Sequence, residues 1–511
     1  MRQALGIGKS AGSRLGRLRR SRRVRVVGWL VLVPLAVALG GGAQVYVRYA
    51  PRWDEGWVDG ERHTLGAYAK PTFENTGHRM YEQAIAEMQK PERATAYSQL
   101  TLAYDGAYSL PDLERALVDF GPVYSLLHAA ADEPCFSVAE PGDYTRDRSV
   151  AMESARRDMA FHGGSRAMAR GVMGRIRTER RAGRLSESLQ AAPDGFALGV
   201  NTMQYGGMID VLVGIAIIAI VQESAAHTLL AGGLPEDEYV AYADRVRGLH
   251  GRVPSMEAVL TFEAAVHRDS MIDITPEGAA SLIYTYTFTP EEAQWSLDHG
   301  GAAPPPRKHT VSQRLREQVL RRTWDGARSI AWTEDRYARF EEQCRLPLDA
   351  AGIVGLVERT GTDLQVRGDP VATMMLGSLG QLVCSWVSLH ARFTGYETMA
   401  RLEAYRARHG VYPDLLEDLV PDFAPEVPLD PWNSEPLRYR REGSSYRLYS
   451  VGRNRTDDGG AFDPMRPGDS PDEVFAPPRP EQNAWPPGGY MGSPGMGGVG
   501  VPPTGSSPGG G

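Results

Sequence analysis

Apolar residues recur with a helical period over most of the chain. Met80, Tyr81, Ile85 and Met88 form one stripe, and Leu113, Leu117, Phe120 and Leu127 form a second behind a cap at Asp112. A polar loop containing Pro134, Pro141 and Gly142 separates these from a long helical tract, Ser149 to Arg184, whose charged face reads as solvated. Helices are predicted again from Glu236 to His250, after a Gly-Gly-Leu-Pro turn, and from Ser255 to Arg268, after Pro254. Helices joined by short turns without a fixed repeat period point to a body of packed α-hairpins. Tyr284, Tyr286 and Phe288 alternate with threonines as one lone strand, and Pro304-Pro305-Pro306 reads as a hinge.

Two stretches are apolar with almost no polar face. Met208 to Val221 holds Asp210 and is only 14 residues long, which predicts a core helix rather than a membrane span. Val371 to His390 is uncharged but diluted by Ser378, Gln381, Ser385 and Ser388, and reads as a buried helix that leads into the next one. There Phe393, Tyr396, Met399, Leu402 and Tyr405 recur every third residue until Gly410. Tyr412-Pro413 breaks this helix, Asp414 can cap a short one through Val420, and Pro421, Pro425, Pro428 and Pro431 hold the chain extended. Leu437 to Arg441 and Tyr446 to Val451 then alternate as two half-buried strands around a loop from Glu442 to Ser445. The fold class expected is mainly α, with a small α+β unit near the C-terminal end.

Charge changes the picture at the N-terminal end. From Met1 through Arg52 the chain carries Lys and Arg but no acid, so all 63 acidic residues lie beyond it. Val26 to Val47 is 22 uncharged residues, enough for a transmembrane helix, and the basic flank before it places the N-terminus in the cytoplasm. Gly41-Gly42-Ala43 has the small residues a signal peptidase requires, so a cleaved signal is the alternative. Trp53, Trp57 and Tyr68 suit a lipid interface or a plain linker. The expected order is a basic cytoplasmic tail (1–25), a transmembrane helix (26–47), a helical body (53–300), a hinge with a helical segment (301–370), the α+β unit (371–463) and a disordered Pro/Gly-rich tail (464–511). Cys135, Cys344 and Cys384 are too few and too scattered for a disulfide framework or a zinc site, and are expected as buried thiols.

The stretch from Phe393 to Asp458 resembles the C-terminal half of the major pseudopilin of the type II secretion system. The residues that carry the likeness are Leu402-Glu403-Ala404-Tyr405, Gly410, Tyr412-Pro413, Pro428-Leu429-Asp430-Pro431-Trp432, Tyr439 and Tyr449-Ser450-Val451-Gly452. It implies a helix followed by a hairpin, and calcium in the acidic loop, with Asp457, Asp458 and Asp463 at the matching positions. A loop merely solvated by these aspartates is the alternative. The family's Trp-Gly-Asn is Trp432-Asn433-Ser434 here, and Val24 to Leu39 lacks the Phe and Glu that begin a mature pilin helix, so a polymerising subunit is not expected.

Catalytic motifs are missing from the sequence: there is no HExxH, P-loop or paired-cysteine motif. Gly495 to Gly500 spells a dinucleotide fingerprint and Gly505 to Gly509 a GxSxG, but neither sits between a strand and a helix. Glu263 and His267 share a helix face and read as a solvated surface pair. His409 reads as a cation at a helix C-terminus. The expectation is a non-enzymatic scaffold or interaction protein of the bacterial inner membrane, with its bulk periplasmic, a protein partner that could be secretion machinery, and no nucleic acid. A periplasmic helical module with a calcium-stapled end, or a hydrolase with a dispersed site, are the alternatives.

Overall fold

The computed structural model describes residues 68–102, 108–137, 148–271, 276, 279, 311–344, 350–367, 369–377, 379–461 and 472–477. The expected transmembrane helix, the lone strand at 284–289, the hinge at 304–306 and Asp463 lie outside them. Helices dominate. They are α1 (Thr76–Met88), α2 (Ala94–Thr101), α3 (Leu110–Ala130), α4 (Arg148–Arg181), α5 (Leu185–Met203), α6 (Met208–Ala231) and α7 (Glu236–His250). Then follow α8 (Met256–Met271), α9 (Val311–Thr323), α10 (Gly326–Gln343), α11 (Ala350–Arg367), α12 (Pro370–Leu376) and α13 (Leu379–His409). A three-stranded antiparallel sheet of β1 (Arg438–Glu442), β2 (Ser445–Ser450) and β3 (Glu473–Ala476), in the order β1-β2-β3, is the last element among the described residues.

The centre of the body is the antiparallel pair α5 and α6, flanked by α4 and α13. Their backbones touch: a Cβ on Gly199 would stand 2.8 Å from the Gly214 carbonyl oxygen, and one on Gly214 would stand 2.5 Å from that of Gly199. Close approach of this kind needs glycine on both sides. By length and composition α6 could cross a membrane, yet 61% of its apolar window is buried among the other helices. The expected 14-residue run extends to Ala231, so it is burial and not shortness that marks α6 as a core helix. α1, α2 and α3 cover one side of α4, α7 lies along α13, and α8 and α10 pair with each other.

α13 joins the body to the sheet. It extends for 31 residues, about 46 Å at the usual rise, and packs on α6 and α7 as well as on β2 and β3. The stretch from Val371 to His390 is interrupted: Asp369 caps the short α12 by accepting from Val371 N at 2.9 Å and Ala372 N at 3.3 Å, and α13 begins afresh at Leu379. All three cysteines are buried free thiols.

Four local expectations need correction. The α3 cap is Ser109, whose Oγ accepts from Asp112 N at 3.3 Å, because a hydroxyl one residue before the helix reaches the free N–H that Asp112 itself carries. The short turn after α13 is a 3-10 helix, Leu416–Leu419, held by the Asp418 carboxylate accepting from Asp414 N at 3.1 Å and Leu415 N at 3.0 Å, and not by Asp414. The hairpin turns on Gly443-Ser444 alone, since Glu442 and Ser445 are already paired. Finally, part of the stretch expected to be a disordered tail is ordered. Glu473–Ala476 pairs with β2, and Phe475 is buried against α13.

That last contact is tight. A Cβ on Gly395 would lie 2.5 Å from the Phe475 ring, so Gly395→Ala should destabilise the full chain by about 1–3 kcal/mol through overpacking. Chemical denaturation checks it; an unchanged midpoint would mean that Phe475 does not seat on α13.

Candidate functional site

The motif residues of the C-terminal unit converge on one buried carboxylate. Asp430 is 1% exposed. Its Oδ1 accepts from Trp432 N at 3.0 Å and Ser450 Oγ at 2.9 Å, and its Oδ2 accepts from Val451 N at 2.8 Å. The Pro428-to-Trp432 crossing is thereby pinned to the end of β2. Burial raises the Asp430 carboxyl above its ordinary value, with the donated N–H groups working against that rise. Glu403, on α13, holds the other side: it accepts from Tyr412 Oη at 2.7 Å and pairs with Arg406 at 2.6 Å. Arg406 in turn lies over Gly232 in the α6–α7 turn.

The acidic loop beyond β2 is organised around a residue that sequence reading missed. Asp472 Oδ2 accepts from Gly460 N at 2.8 Å and Ala461 N at 3.2 Å, so the loop turns N–H groups toward a carboxylate. Asp457 accepts from Tyr449 Oη at 2.8 Å and Gly459 N at 3.0 Å, and meets Arg438 at 3.2 Å; the tyrosine hydroxyl leads in holding its carboxyl below the ordinary range. Asp458 is exposed and accepts from Asn454 Nδ2 at 2.8 Å. Asp457 and Asp458 thus share the loop but face separate partners. Among the described residues, no three His, Cys, Asp or Glu side chains group as metal ligands. Arg438 is the counter-charge that sequence reading did not place beside the loop.

A second polar cluster lies at the buried start of α6. Asp210 Oδ2 accepts from Gly207 N at 2.9 Å, while its Oδ1 lies 2.8 Å from His162 Nε2 and 3.3 Å from Ser137 Oγ. Glu263 accepts from Met208 N, so two carboxylates meet one helix N-terminus, where the helix dipole favours negative charge. The expectation of a solvated Glu263–His267 pair is overturned. Glu263 is 9% and His267 5% exposed, because the α8 face they share packs against α6 and α10. His267 Nε2 lies 3.2 Å from Tyr337 Oη. An Asp three residues after Gly207, ahead of an apolar run, was the available sequence signal for this helix start.

Two further imidazoles lie half-buried between α7 and α13. His250 Nε2 and His390 Nδ1 are 2.7 Å apart, with Phe393 stacked on His250 at 5.2 Å between ring centroids. Trp386 Nε1 donates to the Pro254 carbonyl at 3.1 Å and closes the site. His409 lies in the last turn of α13, where it was expected, with its ring tilted by 38° against Tyr405 at 4.3 Å between centroids.

These groups give the fold opposed pH dependences. Burial pushes His250 down to about 4, and His267 and His390 down to about 3. The unfolded chain therefore binds more protons than the folded one below about pH 6.5, and stability should fall as pH drops from there toward 3. Burial raises Glu263 from 4.5 to about 7, with the Met208 N–H opposing the rise and the Asp210 charge adding to it. Its sign is reversed: the folded state retains the proton that the unfolded state releases, so stability falls as pH rises from 4.5 through 7. Melting temperature against pH checks both. His390→Gln should flatten the acid limb and Glu263→Gln the neutral one; limbs that keep their slopes would remove these residues as the cause.

No family model, no curated protein and no solved structure matches this chain.

Proposed function

We propose that this chain is a membrane-anchored, non-catalytic scaffold or interaction protein of the bacterial envelope, which holds its C-terminal sheet unit on a helical body and associates with protein secretion. The observation that carries this reading is α13. A single helix packs on α6 and α7 and on β2 and β3, so the unit that resembles a pseudopilin is presented without an intervening linker. The acid and base side chains support the non-catalytic part. Glu263, Glu403 and Asp430 are buried and turned to backbone N–H groups, hydroxyls or an arginine of the same chain, and Asp210 caps α6 through Gly207 N while its other oxygen meets the buried His162.

The test uses the full chain in cells. Protease digestion of spheroplasts should remove the body while sparing a short basic N-terminal fragment, and in vivo crosslinking should recover a secretion ATPase, platform protein or pseudopilin. Protection of the body from protease would overturn the topology. Recovery of only unrelated envelope proteins would overturn the association with secretion.

A calcium-bound form of the acidic loop is the second reading, favoured by Asp458, which is exposed and sits beside Asp457. Asp457, Asp458 and Asp463 would be its carboxylate ligands, completed by loop carbonyls. Calcium at millimolar concentration should then raise the melting temperature of the full chain, and Asp458→Ala should abolish the rise. An absent shift removes calcium from the loop.

A further inference from the structure

The described chain joins the body at one end of α6. Tyr68 packs edge-on against Phe262 with ring centroids 5.2 Å apart, and Phe262 lies against Gly207. Five residues later Phe73 meets Phe136 at 5.3 Å and Tyr205 at 5.8 Å, and Phe136 and Tyr205 are 6.4 Å apart. Phe136 is buried beneath. Phe73 is 41% exposed, Tyr205 40% and Ile209, on the first turn of α6, 45%. Singly exposed apolar residues are ordinary, but rings in mutual contact at the surface form a patch.

The backbone reinforces the point. Tyr205 has φ +52°, in the left-handed region that glycine occupies without strain, and two glycines follow it. Strained positions persist where surrounding contacts hold them and are concentrated at functional surfaces. Here Phe73 and Phe136 hold the tyrosine ring at the surface.

We propose that Phe73, Tyr205 and Ile209 seat the helical body on the outer face of the lipid bilayer. This rests on the reading of residues 26–47 as a membrane anchor. Only 20 residues separate Val47 from Tyr68, a tether of at most about 75 Å. The chain coming from the anchor enters the described body beside this patch, with Tyr68 on Phe262 and Phe73 on Tyr205, so this end of α6 is the part of the body first reached from the anchor along the sequence. Exposed tyrosine and phenylalanine rings, with the exposed Ile209 on the first turn of α6, suit the boundary between headgroups and acyl chains. The contact would fix the body's orientation, with α13 and the sheet unit reached from it through α6.

The experiment uses the full chain reconstituted into phosphatidylethanolamine and phosphatidylglycerol vesicles. Cys135, Cys344 and Cys384 are buried, so Ile209→Cys can be labelled selectively with an environment-sensitive fluorophore. Val411→Cys, at a 56% exposed position in the C-terminal unit, is the control. Vesicle flotation reports the anchor, and quenching by lipids spin-labelled near the headgroup reports the patch. The proposal expects flotation, quenching at Ile209→Cys and none at Val411→Cys. Adding Phe73→Ser should weaken the quenching by about twofold or more without loss of flotation. Flotation with equal water exposure at both labels overturns the proposal and leaves the anchor intact. A label shielded from water but not quenched by lipid identifies a protein contact, such as a second copy, and also overturns it. Failure to float overturns the anchor, and the proposal with it.

Discussion

An apolar helix of 24 residues cannot stand in water unless it is covered on nearly every side, and α6 has no polar face to offer. Its cover comes from α4 and α5, which directly precede it, and from α13, which lies far away in the sequence. The demand for close cover explains why Gly199 and Gly214 meet backbone to backbone: small residues bring the α5 axis near enough to exclude water. It also explains the length of α13. That helix must lie against α6 before it can carry the sheet, so the C-terminal unit inherits its position from the burial of a helix almost two hundred residues earlier.

Burying so much of the chain obliges the polar groups within it to find partners, because an unpaired buried donor or acceptor costs about 1–3 kcal/mol. The chain solves this repeatedly with carboxylates that accept backbone N–H groups. Asp210 and Glu263 share the start of α6, Asp369 holds α12, Asp430 ties the crossing to β2, and Asp472 gathers the loop after β2. These five carboxylates are structural fasteners, and in Glu263, Asp369, Asp430 and Asp472 burial raises the carboxyl while the accepted N–H groups oppose the rise. Glu263 and Asp457 show the two extremes: one is raised toward 7 by burial, the other is lowered by a tyrosine hydroxyl at the surface.

Patterns that depend on near neighbours were legible in the sequence. The stripes of α1 and α3, the span of α7 and the hairpin of β1 and β2 all follow from spacing within a dozen residues. Apart from the capping residues Ser109 and Asp418 and the length of the hairpin turn, what failed depended on distant packing. Glu263 and His267 have the spacing of a surface pair, and only the seating of α8 against α6 and α10 buries them. Glu473–Ala476 is too short, and too closely surrounded by Pro and Gly, to announce a strand; it becomes one because β2 offers an unpaired edge and Gly395 leaves room for Phe475. Asp472 was invisible for the same reason, since its role exists only once that strand is in place. Of the candidate ligands, the sequence located Asp457 and Asp458 in one loop but could not supply their partners, Tyr449, Arg438 and Asn454.

The shared helix bears on how the C-terminal unit can work. Leu382, Val383, Val387 and Leu389 lie buried on α13 in the stretch that enters the body, while Met399, Leu402 and Ala404 are buried nearer the sheet. Glu403 and Arg406 link both sides, reaching Tyr412 below the hairpin and Gly232 in the α6–α7 turn. Detaching the sheet unit at its sequence boundary would strip α6 of part of its cover and expose the apolar side of α13, a cost on the scale of several buried side chains at roughly 1.5–3 kcal/mol each. A force or a partner acting on the hairpin is therefore borne by the core of the body through α13, and the two parts respond as one piece.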